Sequence, residues 1–138
     1  MIDVDLWGVI HGIRSFVPLI LAAREEGHVV NVASMAAVLP RGGIGPYTAA
    51  KHGVLGLSDV LRAELHAMGV PVGVSVVMPG MIKTAMNPIG TVSSDVVATH
   101  VVDALRQQRS YVFTDDHHGS EVRDRLGAIL SAKAEESD

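Results

Sequence analysis

From Leu6 onward the apolar positions fall at Leu6, Val9, Ile10, Ile13, Val17, Ile20 and Leu21, the i, i+3, i+4, i+7 spacing of a single helix face. This predicts a helix over about Leu6–Arg24, bent at Pro18, where a backbone donor is missing, and stopped by Gly27. His28–Ala33 (H-V-V-N-V-A) is short, β-branched and apolar nearly throughout, as a buried parallel strand would be. Pro40, Gly42, Gly43 and Gly45 break up Met35–Gly45 into a loop. Helical spacing returns over about Pro46–Met68, with Ala50, Val54, Leu57, Leu61 and Leu65 on one face and Gly69 as the stop. Val72–Met78 is a second buried strand closed by Pro79-Gly80. A third helix, about Ser94–Gln108, turns Val97, Val101 and Leu105 inward, and Tyr111–Phe113 forms a third strand. A last amphipathic helix carries Val122, Leu126, Ile129 and Leu130 and fades into the acidic tail Glu135–Asp138.

Helices and strands therefore alternate as α-β-α-β-α-β-α. That order calls for an α/β fold, a parallel sheet with right-handed helical crossovers. About three strands and four helices are expected, in an incomplete doubly wound arrangement. The opening helix has no strand before it, so one edge of the sheet is left unprotected.

Composition narrows the picture further. A length of 138 residues suits one domain spanning 1–138, and 48% hydrophobic against 19% charged residues supports a packed core. A net charge of −4, with one Trp, two Tyr and two Phe, argues against a nucleic-acid partner. The lack of cysteine excludes disulfides, thiol catalysis and Cys-ligated zinc. No uninterrupted apolar run approaches a membrane span of roughly 18 residues. Asp3 and Asp5 stand where a signal peptide would be positive. The expectation is a soluble cytoplasmic chain with neither membrane nor nucleic-acid partner. The seven histidines show no paired-ligand spacing, so no metal is expected.

The candidate chemistry centres on Tyr47-Thr48-Ala49-Ala50-Lys51, which puts a phenol and an ammonium one helical turn apart on nearly one face. A free tyrosine has a pKa of about 10, and a neighbouring cation favours the phenolate. The pair is thus a sensible general acid/base unit, although the same spacing also describes a surface lysine beside a half-buried tyrosine. Ser34 ends the first strand, at the rim where open parallel sheets bind ligands. Pro79-Gly80 ends the next strand on that rim, with Thr84 four residues on. Met35, Met78, Met81 and Met86 fall near these positions, as core packing or as a flexible apolar pocket.

Here the chain resembles the C-terminal, catalytic half of a short-chain dehydrogenase/reductase. The matching pieces are D-L-W-G-V (Asp5–Val9), V-V-N-V-A-S (Val29–Ser34), Y-T-A-A-K (Tyr47–Lys51), G-V-L-G-L-S-D-V-L-R-A-E-L (Gly53–Leu65) and P-G-M-I-K-T (Pro79–Thr84). The resemblance implies half of a three-layer Rossmann-type fold and an oxidoreductase that interconverts an alcohol and a carbonyl with NAD or NADP. It implies Tyr47 as proton donor or base, Ser34 as the group orienting the substrate oxygen, and Lys51 as a partner of the tyrosine and the nicotinamide ribose. Pro79, Gly80 and Ile82 would line the nicotinamide, Thr84 would reach its carboxamide or the pyrophosphate, and Asn31 would be structural. It also implies a small-molecule substrate and a homodimer or homotetramer built on the two long helices.

Two departures stand out. Asp5 occupies a position where many members carry an asparagine that holds a relay water; a variant relay and a surface aspartate at a helix start both fit. The Gly-rich turn that cradles the pyrophosphate has no counterpart in these 138 residues, since Gly42-Gly43-Ile44-Gly45 leads into the Tyr47 helix. The chain thus reads as a fragment beginning at an internal methionine. A second reading follows: a truncated, non-catalytic remnant persisting as a folded or dimerising module. A serine hydrolase using Ser34 is disfavoured, because V-A-S-M-A lacks the G-x-S-x-G turn.

Overall fold

The computed structural model describes residues 1–85 and 87–135. The expected positions of Met86 and of the acidic tail beyond Glu135 lie outside the described residues.

Four helices and a three-stranded parallel sheet form the frame, as the alternation predicted. They are α1 (Gly8–Ala23), β1 (Gly27–Val32), α2 (Gly45–Ala67), β2 (Val72–Met78), a short β3 (Ile82–Lys83) and β4 (Val92–Ser93), α3 (Ser94–Arg106), β5 (Tyr111–Phe113) and α4 (Gly119–Glu135). The sheet runs β1-β2-β5, with Gly27 to Val32 opposite Val72 to Val77 and Val76 to Met78 opposite Tyr111 to Phe113. β3 and β4 form a separate two-stranded parallel pair. Two residues each are too few for periodicity to reveal, which is why no expectation covered them.

The core follows the predicted faces. Ala33, Ala37, Val54, Val76 and Met78 cluster with Leu6 and Val9 packed on them, and Val17, Leu61, Leu65 and Val74 form a second group with Ile13 and Leu21. Val77, Ala104 and Val112 fill the space under α3. Two polar side chains are buried within this core with partners. Asn31 Nδ2 donates to Ser58 Oγ at 3.0 Å, and Ser58 in turn donates to the Val54 carbonyl at 2.7 Å. Arg62 of α2 donates to the carbonyls of Val74 and Ser110, tying the helix to β2 and to the start of β5.

Several expectations need correction. The stop of α1 is Arg24, in left-handed conformation at φ 55°, rather than Gly27. Gly27 instead opens β1, because a Cβ there would come within 2.6 Å of Ile20 Cγ2. As expected, α1 runs on past Pro18 to Ala23. The helix does not start at Leu6: a π-helical turn, Asp3–Trp7, precedes Gly8 and widens the winding. In α4 only Val122 packs on the core, while Leu126, Ile129 and Leu130 are exposed, the last at 70%. The 21-residue helical segment Asp3–Ala23 also holds an 18-residue window of mean hydropathy 1.5, long and apolar enough by length and composition to cross a membrane. A search for uninterrupted apolar runs misses it, because His11, Arg14 and Ser15 interrupt the run without lowering its average enough.

One polar contact beneath the sheet carries a pH dependence. Gly73 faces His28 in the register, and the imidazole ring occupies the space a side chain there would take. His28 Nε2 meets Ser75 Oγ at 2.8 Å, and Ser75 donates onward to the Arg109 carbonyl at 2.6 Å. Burial lowers the His28 pKa. The unfolded chain then binds the proton more readily than the folded one, so stability is full above about 6.5 and falls as pH drops from there toward the folded value. His28→Gln keeps a donor for Ser75 and should lose less stability on acidification than the parent. Urea unfolding midpoints on either side of that pH check this, and equal acid losses would remove His28 as the cause.

Candidate active site

Ser34 leaves the end of β1 in extended conformation and caps a 3-10 turn, Met35–Ala37, with its Oγ accepting from the Ala36 amide at 3.2 Å. The acceptor is used locally, and the hydroxyl proton stays available to a ligand oxygen. Tyr47 lies in the first turn of α2, which Pro46 opens with the φ that a helix start requires. Lys51 follows one turn later, buried in α2, with its Nζ 5.6 Å from the centre of the Tyr47 ring.

Three neighbours hold Lys51 in place. Its Nζ donates to the Val32 carbonyl at 3.4 Å, stands 3.5 Å from Asp5 Oδ1, and lies over the Tyr47 ring. The lysine and aspartate side chains are 11% and 27% exposed, so this ion pair is shielded more than a surface pair. Asp5 reaches it because the π-helical turn packs tightly on α2. A Cβ at Gly53 would come within 2.9 Å of Leu6 Cδ1, so Leu6, the residue after Asp5, packs directly against the glycine. The sequence leaves open a variant relay and a surface aspartate for Asp5; the pairing with Lys51 is a further contact that decides between neither.

A cavity of about 560 Å³ opens at the carboxyl ends of the strands, lined by Ser34, Tyr47, Pro79 and Gly80 among others. Three of the sequence-derived segments therefore do converge. Ile82 and Thr84 do not line it. Ile82 lies in β3, and Thr84 is exposed, with its Oγ1 accepting from the Asn87 amide at 3.0 Å. Asn87 and Thr91 take part in the lining instead, because the turn between β3 and β4 folds back there. Met35 and Met81 line the cavity, whereas Met78 is fully buried in the core. Among the described residues no three His, Asp or Glu side chains group as a metal site.

Sequence reading missed the far wall, made by Arg41, Asp115, His117 and His118. Arg41 Nη2 pairs with Glu121 Oε2 at 3.0 Å, and His118 Nδ1 lies 2.6 Å from Glu121 Oε1. The hydrogen bond from His118, aided by Arg41, lowers the Glu121 pKa. Arg125 joins α4 to the same region by donating to the Val38 carbonyl at 3.1 Å and meeting His52 Nε2 at 3.2 Å. The signal for this wall was the polar run T-D-D-H-H-G directly after the third strand, on the same rim as Ser34.

The residues fit one end of a nicotinamide cofactor. Pro79 and Gly80 line the cavity together with the phenol, and Lys51, paired with Asp5, holds its charge beside the Tyr47 ring. The Gly-rich stretch Gly42-Gly43-Ile44-Gly45 leads into α2 beside Tyr47, and the fit covers the nicotinamide end.

Comparison with known proteins agrees with this geometry. The family model for short chain dehydrogenases matches residues 1–91. A 1-deoxy-11-beta-hydroxypentalenate dehydrogenase of Streptomyces avermitilis is 38% identical over 135 residues, covering 91% of this chain and 48% of that protein. A short chain dehydrogenase/reductase of Burkholderia phymatum, solved in complex with NAD, superposes with a TM-score of 0.88 at 27% identity, over 95% of this chain and 58% of its own. A short chain dehydrogenase of Burkholderia cenocepacia, solved with NADP, gives a TM-score of 0.79 at 25% identity, over 95% and 54%. The chain spans about half the length of the first two relatives. Family match, sheet order and the motifs of Asp5–Thr84 coincide on the same residues, and the chain belongs to the short-chain dehydrogenases.

Proposed function

We propose that this chain supplies the catalytic half of an NAD- or NADP-dependent oxidoreductase that interconverts an alcohol and a carbonyl. The observation that carries the reading is the convergence of Ser34, Tyr47 and Pro79-Gly80 on one cavity with Lys51 held beneath the phenol. Tyr47 gives its phenolic proton to the carbonyl oxygen in reduction and removes the hydroxyl proton in oxidation. Ser34 donates to the same oxygen and fixes its direction. Lys51, anchored by the Val32 carbonyl and Asp5, presents its charge to the phenol and to the cofactor's ribose. The cofactor, when bound, supplies or accepts the hydride. Pro79, Gly80 and Ile82 would lie along its nicotinamide, with Thr84 near the carboxamide or pyrophosphate. The test is loss of turnover on removing the Tyr47 phenol while cofactor affinity is retained.

We also propose that the working form is a homodimer or homotetramer built on α1 and α2. Phe16 and Leu19 on α1 are 64% and 65% exposed, and Val60 and Met68 near the end of α2 are 56% and 60% exposed. Large apolar side chains arrayed on two neighbouring helices favour self-association over exposure to water. Sedimentation velocity at micromolar concentration should show a dimer or larger species, and Phe16→Glu should shift it toward monomer. A strictly monomeric parent would overturn this assembly.

A further inference from the structure

Asp115 follows β5 and lies across the cavity wall with its carboxylate against Gly80. A Cβ built on Gly80 would collide with Asp115 Oδ2, so the carboxylate occupies the space that glycine leaves free. Its other oxygen, Oδ1, accepts from the His117 amide at 3.0 Å, which fixes the side chain to its own loop. Asp115 is partly buried and lines the same cavity as Ser34 and Tyr47. Among the described residues no cation pairs with it: Arg41 is engaged by Glu121, and Lys51 by Asp5. The proton transfer assigned to Tyr47 does not need it. A fixed carboxylate without a cation, facing a cavity that also holds Met35, Ala36, Leu39 and Ile44, is an acceptor that a ligand hydroxyl can reach.

We infer that Asp115 determines specificity, accepting a hydrogen bond from a second hydroxyl group of the substrate, distinct from the group that reacts. The substrate class is then a hydroxylated alcohol or ketone rather than a simple apolar one. A hydroxyl is favoured over an ammonium because Arg41, His117 and His118 line the same wall, and a cation would meet those groups as well as the carboxylate. Gly80 has a matching role. It makes room for the carboxylate, so that Gly80→Ala would push Asp115 aside. The inference rests on the oxidoreductase reading only for the identity of the reacting group.

Binding tests this without any turnover. The probes are cyclohexanol, the corresponding diol and the corresponding aminocyclohexanol, each small enough for a cavity of about 560 Å³. They are titrated into the 15N-labelled chain, with the His117 and Gly80 amides as reporters. The diol should bind roughly ten-fold more tightly than cyclohexanol, the worth of a hydrogen bond to a charged group. Asp115→Ala should erase that preference and Asp115→Asn should reduce it, while Asp116→Ala should leave it in place. Equal affinities in the parent, no binding of any probe, or a preference that survives Asp115→Ala would each overturn the proposal. Tighter binding of the aminocyclohexanol than of the diol would overturn the hydroxyl assignment in favour of a cationic substrate. If Asp115→Ala loses its dispersed spectrum, the Asp115→Asn result decides. The oxidoreductase reading fails separately, if Tyr47→Phe leaves the turnover of the active oxidoreductase unchanged, and that outcome would leave the diol preference standing.

Discussion

Tyr47→Phe is expected to lower turnover of the active oxidoreductase by a factor of about a hundred or more, while cofactor affinity stays close to that of the parent. The substitution keeps the ring that lies beside Pro79 and Gly80 and removes only the transferable proton. Lys51→Ala should act differently. The Lys51 ammonium is held by the Val32 carbonyl and by Asp5, and it holds its charge beside the Tyr47 ring. Its loss removes the charge that supports proton transfer, the proposed contact to the ribose and the partner of a shielded carboxylate. Both turnover and cofactor affinity should therefore fall, and stability should fall with them, since Asp5 is left without its counter-charge. Steady-state kinetics in both substrates, beside a fluorescence titration of the reduced cofactor, separates the two patterns. Equal damage to cofactor binding from both substitutions would remove the roles given to Tyr47 and Lys51.

The 138-residue polypeptide taken alone is expected to bind neither NADH nor NADPH measurably at micromolar concentration, and to show no dehydrogenase activity. Pro79 and Gly80 offer a wall for the nicotinamide, while the Gly-rich stretch Gly42-Gly43-Ile44-Gly45 runs into the Tyr47 helix. Most of a dinucleotide's affinity comes from the parts remote from the reacting ring, and that energy also holds the ring in position. The free edge of β1 points the same way. Among the described residues β1 pairs with β2 alone, and Val32 is 52% exposed. An apolar groove runs along that edge between Ile13, Val17 and Ile20 of α1 and Val30 and Val32 of β1. Among the described residues the sheet offers three strand ends on which a dinucleotide could lie. Nicotinamide fluorescence on titration with the purified polypeptide decides the matter. Saturable micromolar binding would show that a second copy or another part of these residues completes the site.

Much of this architecture could be read from residue order. Periodicity gave α1, α2 and α3 nearly to their ends, because a helix that buries one face must repeat its apolar residues every three or four positions. The central strand β2 was legible for a related reason, since a parallel strand covered on both faces has almost no polar position to spare, whereas β1 and β5 carry apolar residues that stay exposed at Val32, Tyr111 and Phe113. Ser34, Tyr47 and Lys51 stood out because proton transfer restricts residue type and because α2 sets the spacing of two of them in sequence. The contacts of Lys51 with Asp5 and with the Val32 carbonyl could not be found this way. They depend on a π-helical turn and on the missing side chain of Gly53, and neither has a periodic signature. The same holds for Asp115 against Gly80, which are 35 positions apart in the chain and become neighbours only because β2 and β5 are paired. Local repetition in the chain therefore determined which elements form and which residue types could act. Side-chain partners and the far wall of the cavity were decided by packing, because close approach between distant segments depends on shapes that no local pattern encodes.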